Sequence, residues 1–292
     1  MSLIGLDVGG TSMKAAIVEG PTVLTTESWP TDRTDPVGGI LDFAAHLTSR
    51  AASLNSPAEA VGIALPGIVD ESTGTAVHSA NLGWRDVPML HLARERLGIP
   101  VAIGHDVRTG GLAEAVSGAG RDAGDFVFMA IGTGIAAALI LNGTPYPGTL
   151  GWTGEIGHVV VRPDGEDCAC GNKGCLETYA SAAAISRRYG DSVPAEEVIA
   201  RAGKDDHATQ VWSDALDTLA DGLAATTLLL DPELLVIGGG LARAGETLLA
   251  PLRPRIASRL KFRAPPRLVP SELDDQAAVK GATILAKRLL HV

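Results

Sequence analysis

The sequence predicts an α/β protein with two lobes and a cleft between them. Strand-like and helix-like segments alternate along the chain, which favours this class. One motif also occurs twice, as LDVGGTSMKAAIV and as MAIGTGIAAALI: an apolar strand, a Gly/Thr turn and a strand of small residues. Two copies of one motif indicate a duplicated fold with one hairpin in each lobe.

In the first half of the chain, apolar runs bounded by turn residues predict strands, and 3.6-residue periodicity predicts helices. The predicted strands are LIGLDV, MKAAIVEG, TVLTTESW, AVGIALPG and IPVAIG. The predicted helices are residues 38–54, HLARERLG and VRTGGLAEAVSG.

The second half repeats this alternation. Strands are predicted on either side of the glycine turn in FVFMAIGTGIAAALIL, and again in ELLVIGGG. The predicted helices are residues 180–188, 195–202, 208–230 and 277–290. The segment LARAGETLLAPLRPRIASRL predicts a further helix, bent or broken near its prolines.

Composition narrows the class of protein. The chain has 292 residues, a net charge of −10 and a sequence pI of about 5.1. This acidic balance, without a Lys/Arg-rich stretch, argues against binding along DNA or RNA. The N-terminus MSLIGLDVGG lacks the features of a signal peptide, and LAATTLLL is too short for a membrane span. We therefore expect a cytoplasmic protein with no nucleic-acid or membrane partner.

Three glycine turns are candidate phosphate- and nucleoside-binding segments. GGTS and GTGI each join two strands, unlike a P-loop, and VIGGGLARAG lacks the spacing of a dinucleotide motif. Turns of Gly and Thr expose N–H and hydroxyl donors that can bind phosphate. We therefore expect the turn of each lobe to bind one of the two ends of a triphosphate. The alternative is that the glycines only shape tight turns. The candidates are Gly9, Gly10, Thr11, Gly132, Thr133, Gly134, Gly238, Gly239 and Gly240.

Several polar residues follow predicted strands or lie in the loops. Asp7, at the end of its strand, suits a Mg²⁺ ion held through water, or is a simple strand-terminal cap. Asp106 follows a strand and begins a helix, so it is either a helix N-cap or a general base for a hydroxyl that attacks a γ-phosphate. Carboxylates, an amide and an imidazole together suit a neutral polyhydroxylated ligand. The further candidates of this kind are Asn81, Glu155, His158 and Glu177.

All three cysteines lie in CACGNKGC, as Cys168, Cys170 and Cys175. With His158 upstream they form the pattern H-x9-C-x-C-G-x2-G-C. Three thiolates and one imidazole suit a closed tetrahedral zinc site, which would be structural because no position remains for a water. An Fe–S cluster, which normally needs a fourth cysteine, and a set of redox-active thiols are the alternatives.

Together, these stretches resemble the ROK family (repressor, open reading frame, sugar kinase) of the actin-like ATPase superfamily. The matching stretches are LDVGGTSMK, ALPG, SANLGW, AIGTGI, GEIGHVVVRPDGEDCACGNKGCLE and VIGGG, in family order over nearly the whole chain. The resemblance implies a duplicated ribonuclease H-like fold that closes around its substrate, and a homodimer or homotetramer. It also implies a small lobe over residues 1–117, completed by a C-terminal helix over 277–292, and a larger lobe with the zinc loop over 118–276.

The resemblance also implies roles for individual residues. Asp106 looks like the base that deprotonates a sugar 6-hydroxyl, and Lys14 belongs to the first phosphate segment. His105 stands where the family usually has an Asn that contacts the sugar, so the identity of the sugar stays open. The implied sugar contacts are Gly67, Asn81, His105, Asp106, Glu155, His158 and Glu177. The implied zinc ligands are His158, Cys168, Cys170 and Cys175, and the implied cofactors are ATP, Mg²⁺ and structural Zn²⁺.

These inferences predict an ATP-dependent hexokinase, with glucose as the first candidate substrate. An N-acetylhexosamine, fructose or mannose kinase is an alternative, as is polyphosphate as donor, although relatives that use it generally lack the Cys-rich loop. A sugar-responsive regulator is another alternative, but the family's repressors carry a helix-turn-helix ahead of the sugar domain. His105 alone supports a sugar-binding protein without activity.

Overall fold

The computed structural model describes residues 1–190 and 192–290. Contacts divide the chain into two compact units. The first contains residues 1–113, residues 145–153 and the chain from Gln276 onward, and the second contains residues 114–144 and 154–275. Residues 145–153 therefore belong with the first unit, although their neighbours along the chain belong to the second.

The bounds of the elements are as follows. The strands are β1 (Ser2–Val8), β2 (Ser12–Glu19), β3 (Thr22–Pro30), β4 (Ala58–Leu65), β5 (Ile68–Asp70), β6 (Thr75–His78), β7 (Arg85–Val87), β8 (Val101–His105), β9 (Phe126–Ile131), β10 (Ile135–Leu141), β11 (Thr144–Pro145), β12 (Leu234–Gly238) and β13 (Arg267–Pro270). The α-helices are α1 (Pro36–Ser53), α2 (Met89–Leu97), α3 (Asp106–Ser117), α4 (Glu177–Ala180), α5 (Ala182–Tyr189), α6 (Ala195–Arg201), α7 (Asp206–Leu230), α8 (Glu246–Arg259) and α9 (Ala277–Arg288).

The main sheet of the first unit has the strand order β3-β2-β1-β4-β8. The first three strands are antiparallel neighbours, whereas β4 and β8 run parallel to β1. The carboxyl ends of parallel strands meet at one edge of a sheet. This edge therefore carries the segments that follow β1, β4 and β8, which include Gly9, Gly67 and Asp106.

The C-terminal helix α9 packs on β1 and β4. Two strand glycines permit this close approach. A Cβ atom at Gly5 would lie 2.3 Å from the carbonyl oxygen of Val279, and one at Gly62 would lie 1.8 Å from that of Ala282. The sequence predicts a helix as far as residue 290, and the structure has it over Ala277–Arg288; residues 291 and 292 lie outside the described part of the chain.

A second, antiparallel sheet in the first unit contains β5, β6 and β7. This sheet is not predicted from the sequence, because β5 and β7 have three residues each and β6 has four. These strands are too short to show a clear alternation of apolar and polar residues.

The sheet of the second unit has the order β11-β10-β9-β12-β13. Here too the first strand, β9, has an antiparallel hairpin partner on one side and a parallel strand, β12, on the other. The two main sheets thus share one topology, which confirms the duplicated α/β fold. The turns after β9 and β12 lie at the same edge, since Gly238 pairs in register with Ala130.

The helix predicted to be bent or broken near its prolines does not break there, because α8 runs from Glu246 to Arg259 with Pro251 and Pro254 inside it. The interruption lies earlier, at Gly245, which adopts a φ of 55° between a short 3-10 helix and α8. Apolar side chains fill a separate core in each unit. None of the described helices has the length and apolar character that a membrane crossing needs.

Candidate active site and metal centre

The first glycine turn closes the hairpin between β1 and β2. The N–H of Gly9 donates to the carbonyl oxygen of Ser12 at 3.0 Å, and the hydroxyl of Thr31 donates to the carbonyl oxygen of Gly9 at 2.7 Å. Asp7 and Lys14 face each other across the two strands. Asn81, in the loop between β6 and β7, lies beside this turn, because its Cβ is 3.9 Å from the position of a Cβ on Gly10.

The second glycine turn closes the hairpin between β9 and β10 in the same way. The N–H of Gly132 donates to the carbonyl oxygen of Gly134 at 2.9 Å, and Thr133 is exposed. The carboxylate of Glu177 accepts a hydrogen bond from the N–H of Ile135 at 3.0 Å. One of the candidate sugar contacts therefore also shapes a candidate phosphate turn.

The third glycine segment follows β12 and leads into a short 3-10 helix over Gly240–Ala244. It borders a cavity of about 270 Å³. The cavity is lined by Glu196, Ile199, Ala200, Gly240, Leu241, Arg243, Ala244 and Thr247. Mostly apolar walls with a few polar groups at the rim are typical of a site for a planar heterocycle.

Asp106 is the first residue of α3 and directly follows β8. Its Oδ1 atom accepts a hydrogen bond from the N–H of Val107 at 2.7 Å, which is the capping contact that the helix start predicts. Its side chain keeps 30% of its exposure, yet burial raises the pKa of Asp106 to about 6. A carboxylate with a pKa near neutrality is a better proton acceptor than an ordinary aspartate.

His105 and Arg108 surround Asp106 on the protein side. Nε2 of His105 lies 3.3 Å from Oδ1 of Asp106, and the His105 side chain is only 5% exposed. Burial, followed by the positive charge of Arg108, lowers the pKa of His105 to about 3, so the imidazole is neutral at physiological pH.

Sequence reasoning missed Arg108 and its partner Glu71. The guanidinium of Arg108 is 2% exposed and donates to Glu71 Oε1 at 3.0 Å. It also donates to the carbonyl oxygens of Val69 at 3.0 Å and of Gly151 at 2.9 Å. The sequence offers one sign of a buried arginine here: Arg108 stands in the first turn of a predicted helix that is otherwise rich in small and apolar residues.

The four candidate zinc ligands converge in the second unit. Their ligand atoms all lie within 4.8 Å of one another. Cys170 Sγ and Cys175 Sγ are 3.7 Å apart, and Cys168 Sγ is 3.6 Å from Nδ1 of His158. A tetrahedral zinc ion, with bonds of about 2.3 Å to sulfur and about 2.0 Å to nitrogen, requires separations of about 3.8 Å and about 3.5 Å. The donor set therefore fits zinc.

The chain folds tightly around this cluster. The carbonyl oxygen of Gly174 accepts hydrogen bonds from the N–H groups of Val161 and Arg162. Gly174 has a φ of 73°, and a Cβ there would lie 1.6 Å from the carbonyl oxygen of Arg162, so only glycine fits.

The environment of the loop changes the acidity of the three thiols. Burial raises the pKa of Cys168 and raises that of Cys175 to about 12, whereas a main-chain hydrogen bond from Asn172 lowers the pKa of Cys170. Three neighbouring thiolates repel one another, and a bound zinc ion would compensate their charge.

The cluster also orients His158 toward Glu155. Because Nδ1 of His158 faces Cys168, its other nitrogen, Nε2, points elsewhere and lies 3.8 Å from Oε2 of Glu155. Glu177 begins α4 two residues after Cys175. Its Cβ lies 3.3 Å from the position of a Cβ on Gly157, so Glu177 packs beside the segment that carries Glu155 and His158.

A model of the ROK family matches residues 3–289. This chain belongs to the ROK family. A glucokinase of Halalkalibacterium halodurans is 33% identical to this ROK protein over 98% of this chain and 94% of the relative. The crystal structure of a ROK family glucokinase from Streptomyces griseus, in complex with glucose and AMPPNP, has a TM-score of 0.85 at 28% identity, covering 99% of this chain and 100% of that chain.

Regulators are also among the relatives of this ROK protein. A DNA-binding transcriptional dual regulator of Escherichia coli is 34% identical over 79% of this chain and 61% of the regulator. The glucokinase matches along nearly the whole of both chains, whereas the match to the regulator covers only 61% of the regulator's length. The comparisons therefore support a hexose kinase, with a regulator as the remote alternative.

Proposed function

We propose that this protein is an ATP-dependent hexokinase that phosphorylates the 6-hydroxyl of glucose. The observation that carries this proposal is the partly exposed carboxylate of Asp106, placed where β8 ends and α3 begins; burial, which raises its pKa, supports a role as a base. The proposal is supported by the glucokinase relatives, one of which is similar along nearly the whole chain.

Asp106 acts as the general base in the proposed reaction. Its carboxylate accepts the proton of the sugar hydroxyl as the hydroxyl oxygen attacks the γ-phosphorus of ATP. The bond between that phosphorus and the oxygen bridging to the β-phosphate breaks, ADP leaves, and Asp106 releases the proton to solvent. Positioning and charge stabilisation supply most of the rate acceleration in such transfers.

The residues proposed to contact the sugar are Gly67, Asn81, Glu155, His158 and Glu177. Amide, carboxylate and imidazole groups together can donate to and accept from neighbouring sugar hydroxyls. Glucose is proposed because the glucokinase relatives bear that name; mannose, fructose and N-acetylhexosamines are outcomes of the experiment below.

ATP is proposed to bind through the glycine turns. The residues are Gly9, Gly10, Thr11 and Lys14 on the first hairpin, Gly132, Thr133 and Gly134 on the second, and Gly238, Gly239 and Gly240 for the nucleoside. The cavity of about 270 Å³ beside Gly240 supports a nucleoside position there. Asp7 is proposed to hold Mg²⁺ through water, because a carboxylate oxygen is a ligand that Mg²⁺ prefers.

Zinc is proposed to be structural. His158, Cys168, Cys170 and Cys175 would hold it, and four protein ligands leave no position for a reacting water. Its role is to fix the loop that carries Glu155, His158 and Glu177. A cytoplasmic location and a homodimer or homotetramer complete the proposal.

The test is ADP release from MgATP with a panel of sugars: glucose, mannose, fructose, allose, N-acetylglucosamine and N-acetylmannosamine. We expect turnover with glucose and loss of turnover in Asp106→Asn, with glucose binding retained when measured by calorimetry. Unchanged activity in Asp106→Asn would remove Asp106 as the base.

A sugar-responsive regulator is the second candidate. The likeness to the E. coli regulator favours it. Glucose binding without ADP release across the whole panel, in zinc-loaded protein, would select this candidate over the kinase.

A further inference from the structure

The two ring nitrogens of His105 both contact polar groups of the protein. The main-chain N–H of Arg108 donates to Nδ1 at 3.3 Å, and Nε2 lies 3.3 Å from Oδ1 of Asp106. A nitrogen that accepts a hydrogen bond carries no proton, so the neutral ring has its proton on Nε2. The proton-bearing nitrogen therefore faces Asp106.

Glu71 and Arg108 fix this arrangement. Glu71 Oε1 accepts hydrogen bonds from the main-chain N–H of His105 at 3.1 Å and from Nε of Arg108 at 3.0 Å. Burial and the charge of Arg108 lower the pKa of His105, and the nearby Glu71 opposes them without reversing the result. The imidazole thus stays neutral, and its tautomer is set by the main-chain N–H of Arg108.

Oδ1 of Asp106 is the oxygen that these contacts engage. It accepts the N–H of Val107 at 2.7 Å and lies next to Nε2 of His105. Oδ1 thus accepts one hydrogen bond, from Val107, and has the proton-bearing nitrogen of His105 3.3 Å away, so both groups hinder rotation of the carboxylate about its terminal bond. A base whose rotation is restricted presents one defined oxygen to its substrate, which lowers the entropy cost of the reaction.

We propose that His105 is a positioning residue for Asp106: its neutral imidazole, protonated on Nε2, holds Oδ1 and leaves Oδ2 to accept the proton of the sugar hydroxyl. His105 keeps its own proton throughout, so it acts through Asp106 and not as a second base. The role of the sugar hydroxyl in this inference rests on the proposed kinase function. The positions of His105 and Asp106 do not depend on that function.

The structure suggests three substitutions at this position. The amide of Gln can place an N–H group where Nε2 lies, whereas the shorter side chain of Asn can only replace the acceptor at Nδ1. Ala removes both. His91→Asn on the surface of α2, where the side chain is 75% exposed, is the control for a histidine change. Circular dichroism and thermal unfolding identify any variant that fails to fold, and the comparison of H105Q with H105N does not need H105A.

We expect H105N and H105A to lower kcat about tenfold, with the KM for glucose within about threefold of the wild-type value. H105Q should recover most of the lost kcat. A change confined to KM would overturn the proposal in favour of a direct sugar contact, which is the role of the Asn that the family usually carries here. Equal recovery by H105N and H105Q, or no change in any variant, would also overturn it.

A second measurement does not depend on catalysis. The pKa of the Asp106 carboxyl can be followed by carbon NMR, with Asp106→Asn to assign the signal. Loss of a donor to the charged carboxylate should raise this pKa in H105N but not in H105Q. If the wild type proves not to be a kinase, this titration still decides the inference, and an unchanged pKa in H105N would overturn it.

Discussion

Glu177 and Ile135 connect the cysteine loop to the second glycine turn, through a hydrogen bond of 3.0 Å from the Ile135 N–H to Glu177 Oε2. Glu177 stands two residues after Cys175, and Ile135 directly follows Gly134. A movement of the cysteine loop must therefore move an acceptor that shapes the turn. This connection links the proposed zinc site with the proposed phosphate site inside one unit.

Metal removal should disturb both sites. The purified protein should contain about one zinc ion per chain. Cys175→Ser should lose the zinc, lower the Tm and raise the KM for ATP severalfold, because metal binding contributes folding free energy and fixes Glu177. Elemental analysis, thermal unfolding and steady-state kinetics measure the three effects.

Lys173→Ala is the matched control, since Lys173 lies in the same loop and its ammonium group pairs with the exposed Asp167 at 3.2 Å. It should keep the metal and the KM for ATP. Folded, active protein that contains iron or no metal would refute the zinc assignment.

Gly134→Ala tests the connection from the other side. A Cβ at this position would lie 2.5 Å from Glu177 Oε2, so the carboxylate must move and release Ile135. We expect the KM for ATP to rise about tenfold and kcat to fall, with a loss of stability of about 1 kcal/mol. Kinetics with varied ATP, together with urea unfolding, measure both effects.

Two other glycine substitutions distinguish the displacement of Glu177 from a general Gly→Ala effect and from a clash with bound phosphates. Gly124→Ala lies in open space and should be close to wild type. Gly132→Ala also meets no protein atom, so any effect of that change reports contact with the bound phosphates. If Gly134→Ala kept the wild-type stability and KM for ATP, the role of Glu177 would be refuted.

Much of this organisation is visible in the sequence. The paired hairpins are predictable because the turn glycines and the apolar strands on either side are local signals. The cysteine cluster is predictable because all of its thiols lie within one short loop. Both features depend on residues that are near neighbours along the chain.

The features that were missed depend on distant residues. Arg108 finds its partners at Glu71, Val69 and Gly151, and nothing in the local sequence indicates that these segments meet. The break at Gly245 was wrongly assigned to the prolines, because their cost in a helix is a general tendency that packing of the apolar residues in α8 overrides here.

The pH dependence of turnover follows from Asp106. The base must be ionised, so kcat/KM should fall tenfold for each pH unit below about 6, the pKa of this carboxyl. A pH–rate profile with glucose at low concentration measures this. An acidic limb near the ordinary aspartate value of 3.8 would contradict the proposed environment of Asp106.

The same carboxyl should cost stability at neutral pH. Because its folded-state pKa lies above its ordinary value, its favourable contribution is complete below about pH 4 and is lost as the pH rises through about 6. Asp106→Asn should therefore raise the free energy of unfolding by about 1–3 kcal/mol at pH 8 and by almost nothing at pH 4. Asp122→Asn, at a side chain that is 90% exposed, should show no such difference between the two pH values.

The close approach of α9 to the first sheet gives a prediction about stability alone. A Cβ at Gly62 would lie 1.8 Å from the carbonyl oxygen of Ala282, and this oxygen belongs to the backbone, so no side chain can move aside. Gly62→Ala should lower the free energy of unfolding by about 3 kcal/mol, at the upper end of the usual cost of overpacking. Gly124→Ala, again in open space, is the control. Urea unfolding of both variants measures the difference. Equal stability would mean that α9 does not pack closely on β4 in solution, because a helix that can shift would admit the methyl group at little cost.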